Sequence, residues 1–259
     1  MSFYRQVAED RFEATPLTRG PWDAASQHAG PPAALIGRAV ERRPGARADA
    51  RVARLTFDIA RPVPIGPLTI STRVVRAGRS VEVVEAELTP DGGPAAMRAT
   101  AVLIRTAERA APGVPGAAPP PGPESAPDRP FFPVPYDEGY HTAMETRFAA
   151  GSFLEPGPAT CWMRMRVPLV DGETPSPLTR VLVAADSGNG VSNVLDFRTH
   201  LFVNTDLDVH LHRYPAGEWV CLDARTVIEA DGIGLADSAL HDESGSLGRA
   251  AQSLFVAAR

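Results

Sequence analysis

The sequence predicts an α+β protein made of two copies of one unit, two antiparallel sheets each wrapping one central helix. Three observations lead there. The stretch from Leu55 to Ile104 lies over Leu207 to Phe255 with only short gaps, so that LTFDIARPVPIGPLTI, GRSVEVVEAELTPDGG and RATAVLI return as LDVHLHRYPAGEWVCL, GIGLADSALHDESG and RAAQSLF. Pro31-Pro32 before AALIGRAVE matches Pro175 and Pro177 before LTRVLVAAD, and proline at a helix start gives up no intrahelical bond. Between the copies, residues 107–130 read AERAAPGVPGAAPPPGPESAPDRP, a run that supports neither helix nor sheet ladders.

Each element follows from its local pattern. In the first copy RFEAT is a short strand and Gly30 through Glu41 a helix. Three longer strand runs follow, the middle one broken by the turn AGRS. In the second copy YHTAMETRFAAGSF and CWMRMRV read as strands, PLTRVLVAAD as a helix, and the three strand runs return after Asn204. A lone helix leaves the sheet of one copy with uncovered apolar surface and a bare edge, so the copies are expected to pair. The predicted division is residues 1–106, a stiff Pro-rich spacer over 107–130, and residues 131–259.

With 259 residues, 44% hydrophobic and 22% charged, the chain can bury a sizeable core. A formal charge of -5 and the lack of a long Lys/Arg run argue against nucleic acid, whose affinity comes largely from phosphate contacts. Cys161 and Cys221 sit in apolar strand runs and read as buried thiols. The start MSFYRQVAEDRF alternates charges where a secretory signal needs an apolar core, and no apolar run reaches the ~20 residues that span a bilayer. The expectation is a cytoplasmic protein not inserted in a membrane. No G-x-G-x-x-G, Walker loop or G-x-S-x-G elbow is present, so no cofactor is called for and a serine-hydrolase route is disfavoured. Asp208, His210 and His212 share one strand face but lack a further ligand, and no metal is expected.

AADSGNG after the second helix, NTD at the start of the next strand and RAAQS on the last strand resemble the acyl-CoA thioesterase II family, whose architecture is the double hotdog. The resemblance covers the chain apart from the proline run. It implies hydrolysis of an acyl-CoA, with Asp186, Thr205 and Gln252 holding and activating the attacking water. Strand parity supports the same trio. Thr205 alternates with Leu207 and Val209, and Gln252 with Leu254 and Val256, so both are expected to face the helix that Asp186 ends. Polar groups converging on an apolar interior are costly unless paired. In the first copy Glu41 stands opposite Asp186, but Ala53 and Ala101 stand where Thr205 and Gln252 do. One working site per chain is expected, with the first copy supplying walls.

Further residues are read with the site. The Gly30 region at a helix start and the Gly188–Gly190 turn are the candidates to present oxyanion donors, and His28 lies where it can touch ligand or cap the turn. Arg61 and Arg213 are the candidates for coenzyme A phosphates. No inward histidine is expected beside Asp186, which separates this site from a hotdog dehydratase. The rival from another class is a non-catalytic acyl-CoA or acyl-carrier-protein binding protein on the same scaffold. A homo-dimer or tetramer is expected by fold analogy.

Overall fold

The computed structural model describes residues 1–108, 110–131 and 133–259; Arg109, within the predicted spacer, and Phe132 lie outside the described residues. The first half comprises β1 (Tyr4–Gln6), β2 (Arg11–Ala14), α1 (Gly30–Arg42), β3 (Ala50–Ile59), β4 (Pro67–Ala77), β5 (Val81–Pro90) and β6 (Met97–Arg105). The second comprises α2 (Tyr140–Ala143), β7 (Met144–Ser152), β8 (Glu155–Met165), α3 (Pro177–Ala185), α4 (Gly188–Val191), β9 (His200–Asn204), β10 (Asp206–Leu211), β11 (Val220–Ile228), β12 (Ile233–Asp242) and β13 (Gly245–Ala258). The run YHTAMETRFAAGSF therefore opens with a single helical turn before its strand begins.

The strands form one 13-stranded sheet in the order β1-β2-β4-β5-β6-β3-β10-β13-β12-β11-β8-β7, with β9 also on β13. This order reads the same outward in both directions from the β3–β10 seam, as a duplication requires. The expected separation into two sheets is replaced by continuity. β3 and β10 would each be an open edge of its own copy, and pairing Phe57 with Leu207 and Leu55 with Val209 satisfies both edges at once.

The helices lie inside the curve of this sheet. α1 begins at Gly30-Pro31-Pro32 and is buried on nearly every side, as a helix wrapped by sheet must be. α3 begins at Ser176, whose Oγ accepts the Thr179 N–H at 3.2 Å, a cap with Pro177 at the first helical position. The two run antiparallel. Gly30 at the start of α1 packs on the Val183 carbonyl near the end of α3, while Ser176 at the start of α3 donates to Glu41 Oε2 at 2.6 Å near the end of α1. Leu35, Ile36, Leu182 and Val183 between them are fully buried, each contributing about 1.5–3 kcal/mol.

The proline run is a strap and not a free spacer. Its carbonyls are the acceptors that proline retains, and they are used along the second half. Ala117 O accepts the Ser246 N–H at 3.0 Å and Pro127 O the Phe148 N–H at 3.1 Å. Pro121 O accepts Trp162 Nε1 at 2.7 Å, and Ala126 packs with Trp162, Trp219 and Cys221. Both cysteines are buried free thiols, and burial pushes both thiols up.

Candidate active site

α3 ends where the two halves meet, and a cavity of about 380 Å³ opens there. Trp22, His28, Ile59, Arg61 and Val63 of the first half line it together with Tyr140, Met144, Phe153, Met163, Asp186 and Ser187 of the second. Asp186 is the residue after the last turn of α3, and its side chain is buried at 4% exposure. Its Oδ1 accepts Asn204 Nδ2 at 2.8 Å and Gln252 Nε2 at 3.1 Å. Its Oδ2 lies 2.9 Å from His28 Nδ1.

Neighbouring strands deliver the two amides. Asn204 ends β9 and is paired with Leu254 of β13, and Gln252 lies two residues earlier on β13. Gln252 has no donor to spare. Its Nε2 also donates to the Asp186 carbonyl at 3.0 Å, and its Oε1 accepts the Asn189 N–H at 3.0 Å. It is 2% exposed and braces the α3–α4 turn from behind. Gly188 makes that approach possible, because a Cβ there would sit 2.7 Å from Ser238 Oγ and 3.2 Å from Gln252 Oε1.

Thr205 is on the cavity wall but exposed, and its Oγ1 is 3.5 Å from the Ser253 carbonyl. The chain bends at Thr205, between β9 and β10, so alternation counted back from Leu207 fails there. Asn204, one residue earlier, is the one that reaches the carboxylate.

His28 corrects a second expectation, because an inward histidine does accompany Asp186. It comes from the other half, which one copy's strand parity cannot show. The His28 backbone N–H donates to Thr18 O at 2.8 Å, and the ring stacks on Tyr140 at 3.8 Å and 7°. His28 Nδ1 also accepts the Gly30 N–H at 3.1 Å. Nδ1 has one in-plane site, so it accepts the Gly30 N–H when bare and donates to Asp186 Oδ2 when it carries the ring hydrogen.

Gly30 and Gly188 are not among the residues that line the cavity, although their neighbours Ala29 and Asn189 are. The Gly30 N–H is used by His28 and its missing side chain makes room for α3; Gly188 makes room for Gln252. Tyr140, from α2, donates its hydroxyl to Val183 O at 2.8 Å and lies 2.8 Å from Ser187 Oγ. Burial pushes that phenol far up. Among the described residues no group of three His, Cys, Asp or Glu side chains gathers as a metal site.

Of the two arginines, Arg61 is exposed at the cavity. Arg213 is elsewhere, its guanidinium clamped on Asp242 at 2.6 and 2.5 Å and on Gly245 O at 2.8 Å. Burial raises the Asp242 carboxyl, but the Arg213 fork and the N–H groups of Ala216 and Ser244 outweigh it and hold it at about 2, below the ordinary 3.8. The stabilisation is therefore fully present above pH 3.8 and lost as pH falls through about 2. Arg213→Met is expected to lower unfolding free energy by about 2 kcal/mol near neutral pH. Urea titration should show that loss shrinking toward pH 2, with substrate KM unchanged.

The counterpart position in the first half is closed. Glu41 accepts Ser176 Oγ, Arg38 and Arg42 are bonded to Glu173, and about 30 Å³ is left between these side chains. Burial raises the Glu41 carboxyl.

The fold has close relatives in shape. A provisionally named thioesterase from Novosphingobium aromaticivorans superposes with a TM-score of 0.78 at 21% identity, covering 98% of each chain. A hot dog fold protein from Alicyclobacillus acidocaldarius gives 0.75 at 17% identity over 98% of this chain and 96% of its own. An acyl-CoA thioesterase II from Mycobacterium marinum gives 0.68 at 16%, over 99% and 95%. No curated protein matches the sequence. No helix among the described residues is long and apolar enough to cross a membrane. The models of the N-terminal and C-terminal domains of acyl-CoA thioesterases match residues 18–112 and 115–256. With a buried carboxylate facing His28 at the junction of those two domains, the chain belongs to the acyl-CoA thioesterase family and is a thioester hydrolase.

Proposed function

We propose that this chain, a double hotdog, hydrolyses acyl-CoA to the free acid and coenzyme A by direct attack of water, with Asp186 as the general base. The observation that carries this reading is the Asp186 carboxylate, fixed on one oxygen by Asn204 and Gln252 and facing His28 with the other, beside a cavity lined by both halves. Oδ2 takes a proton from water as the water oxygen bonds to the thioester carbon. The tetrahedral intermediate then expels the thiolate as the C–S bond breaks, and the Asp186–His28 pair returns a proton to sulfur. A positioned base contributes about 10²–10⁴-fold. Asn204 and Gln252 are positioning residues, Thr205 a wall residue, and Arg61 the contact for the phosphates of coenzyme A.

Gln252→Ala tests the positioning role. It removes one bond to Oδ1 and strands the buried Asn189 N–H, so about 1–3 kcal/mol of stability and about tenfold in kcat are expected to go. Thiol release and thermal melts measure the two. The reading as a whole is tested with a panel of acyl-CoAs from short to long, scored for released thiol. Turnover of at least one is expected; saturable binding of several with turnover of none would make the chain a binding protein.

Assembly as a dimer or tetramer and a cytoplasmic location belong to the same reading. Exposed Val227, Leu235, Ile233 and Phe255 stand in cross-strand pairs on β11, β12 and β13, an apolar surface suited to a second copy. Free buried thiols fit a reducing compartment.

A further inference from the structure

Gln252 lies off the cavity wall behind the α3–α4 turn, and Thr205, on the wall, makes no bond to Asp186, so neither is fixed beside Asp186 Oδ2 to hold the second proton of the attacking water. Ser187 stands on the cavity wall next to Asp186. It occupies the N-cap of α4 yet makes no side-chain capping bond, although serine at that position commonly accepts from the helix N–H groups. Its hydroxyl is instead 2.8 Å from the Tyr140 hydroxyl, which is itself 2.8 Å from the Val183 carbonyl.

That relay has only one polarity. A carbonyl oxygen carries no hydrogen, so the phenol must donate to Val183. The phenol has a single hydrogen, so toward Ser187 it can only accept, and Ser187 must donate to it. What Ser187 then offers the cavity is lone pairs. Tyr140 is 2% exposed and Ser187 5%, so solvent does not scramble the order.

We propose that Ser187 is a catalytic residue that accepts the second hydrogen of the attacking water, with Tyr140 as the positioning residue that fixes its polarity. The proposal rests on Asp186 as base. One hydrogen of water points at Asp186 Oδ2, the other at Ser187 Oγ, and an oxygen lone pair is left for the thioester carbon. As the new C–O bond forms, the first proton passes to Asp186. The second stays on the nascent acid oxygen until C–S cleavage, and the Asp186–His28 pair protonates the departing sulfur.

The test is steady-state thiol release by wild type, Ser187→Ala, Tyr140→Phe, the double variant and Asp186→Asn, with hydroxylamine added as a competing nucleophile. Ser187→Ala is expected to lower kcat about ten- to a hundredfold with KM within about twofold, and to raise the ratio of hydroxamate to acid about tenfold, because only water depends on that acceptor. Tyr140→Phe keeps the stack on His28 but frees the Ser187 hydroxyl to rotate, so a loss of about three- to tenfold is expected, with none added on top of Ser187→Ala. Wild-type kcat in Ser187→Ala, or equal loss of acid and hydroxamate, would overturn the proposal. So would a rise in KM at constant kcat, the mark of an acceptor for a substrate N–H. Additive losses in the double variant would overturn the relay. Asp186→Asn separates the two levels: its inactivity beside an unimpaired Ser187→Ala leaves the base reading standing and removes only this inference.

Discussion

Asp186→Asn is expected to lower kcat about 10²–10⁴-fold while leaving the melting profile close to wild type. Asparagine has the shape of aspartate and keeps an oxygen able to accept Asn204 Nδ2 and Gln252 Nε2, the two bonds that now hold Oδ1. What it loses is the basic Oδ2. An amide nitrogen facing His28 Nδ1 can donate to it, so the 2.9 Å contact need not open. The variant should therefore bind an acyl-CoA with near-normal affinity and fail to turn it over. Thiol release measures the first effect, and equilibrium binding of the unreacted thioester measures the second. Wild-type turnover in the variant would remove Asp186 from the base role.

Gly30→Ala is expected to damage stability and activity together. A Cβ at Gly30 would collide with the Val183 carbonyl oxygen and lie 3.2 Å from His28 Nδ1. The first obstacle is backbone where the start of α1 packs on the end of α3, so α1 must move away from α3. Overpacking of this kind costs about 1–3 kcal/mol. The displacement also draws His28 from Asp186, since Gly30 and His28 are joined by the 3.1 Å bond from the Gly30 N–H, and about tenfold or more in kcat should follow. By contrast a substitution at Gly190, where a Cβ meets nothing within 4 Å, is expected to leave stability nearly unchanged. Denaturant titration of both variants checks the contrast; equal stability of Gly30→Ala and wild type would show that the helices are not in the contact described.

The duplicated unit is legible because period-two alternation and helix-start prolines are local signals, and the strand order repeats outward from β3 and from β10 in agreement with it. The joining of the copies into one sheet was not legible, since an edge strand carries no mark of the partner that will cover it. The sequence places Gln252 beside Asp186 because Gln252 lies within an unbroken strand and Asp186 directly ends a helix. Alternation points to Thr205 where Asn204 makes the contact with Asp186, because a one-residue bend interrupts the strand. His28 escaped pairing with Asp186 because the contact crosses the two halves, and antiparallel packing of α1 on α3 is a tertiary fact. The proline run shows a similar limit: its stiffness is written in composition, but its anchoring by Trp162 on Pro121 O depends on where an indole nitrogen emerges from β8.

The most direct measurement is a single turnover of an acyl-CoA in ¹⁸O-enriched water with enzyme in excess, followed by mass analysis of the released acid and of the peptide that contains Asp186. If water attacks the thioester directly, the first acid formed carries ¹⁸O and the Asp186 peptide stays unlabelled. Unlabelled first-turnover acid, with ¹⁸O appearing in Asp186, would mean that the carboxylate itself attacks the carbonyl and would contradict the role assigned to it.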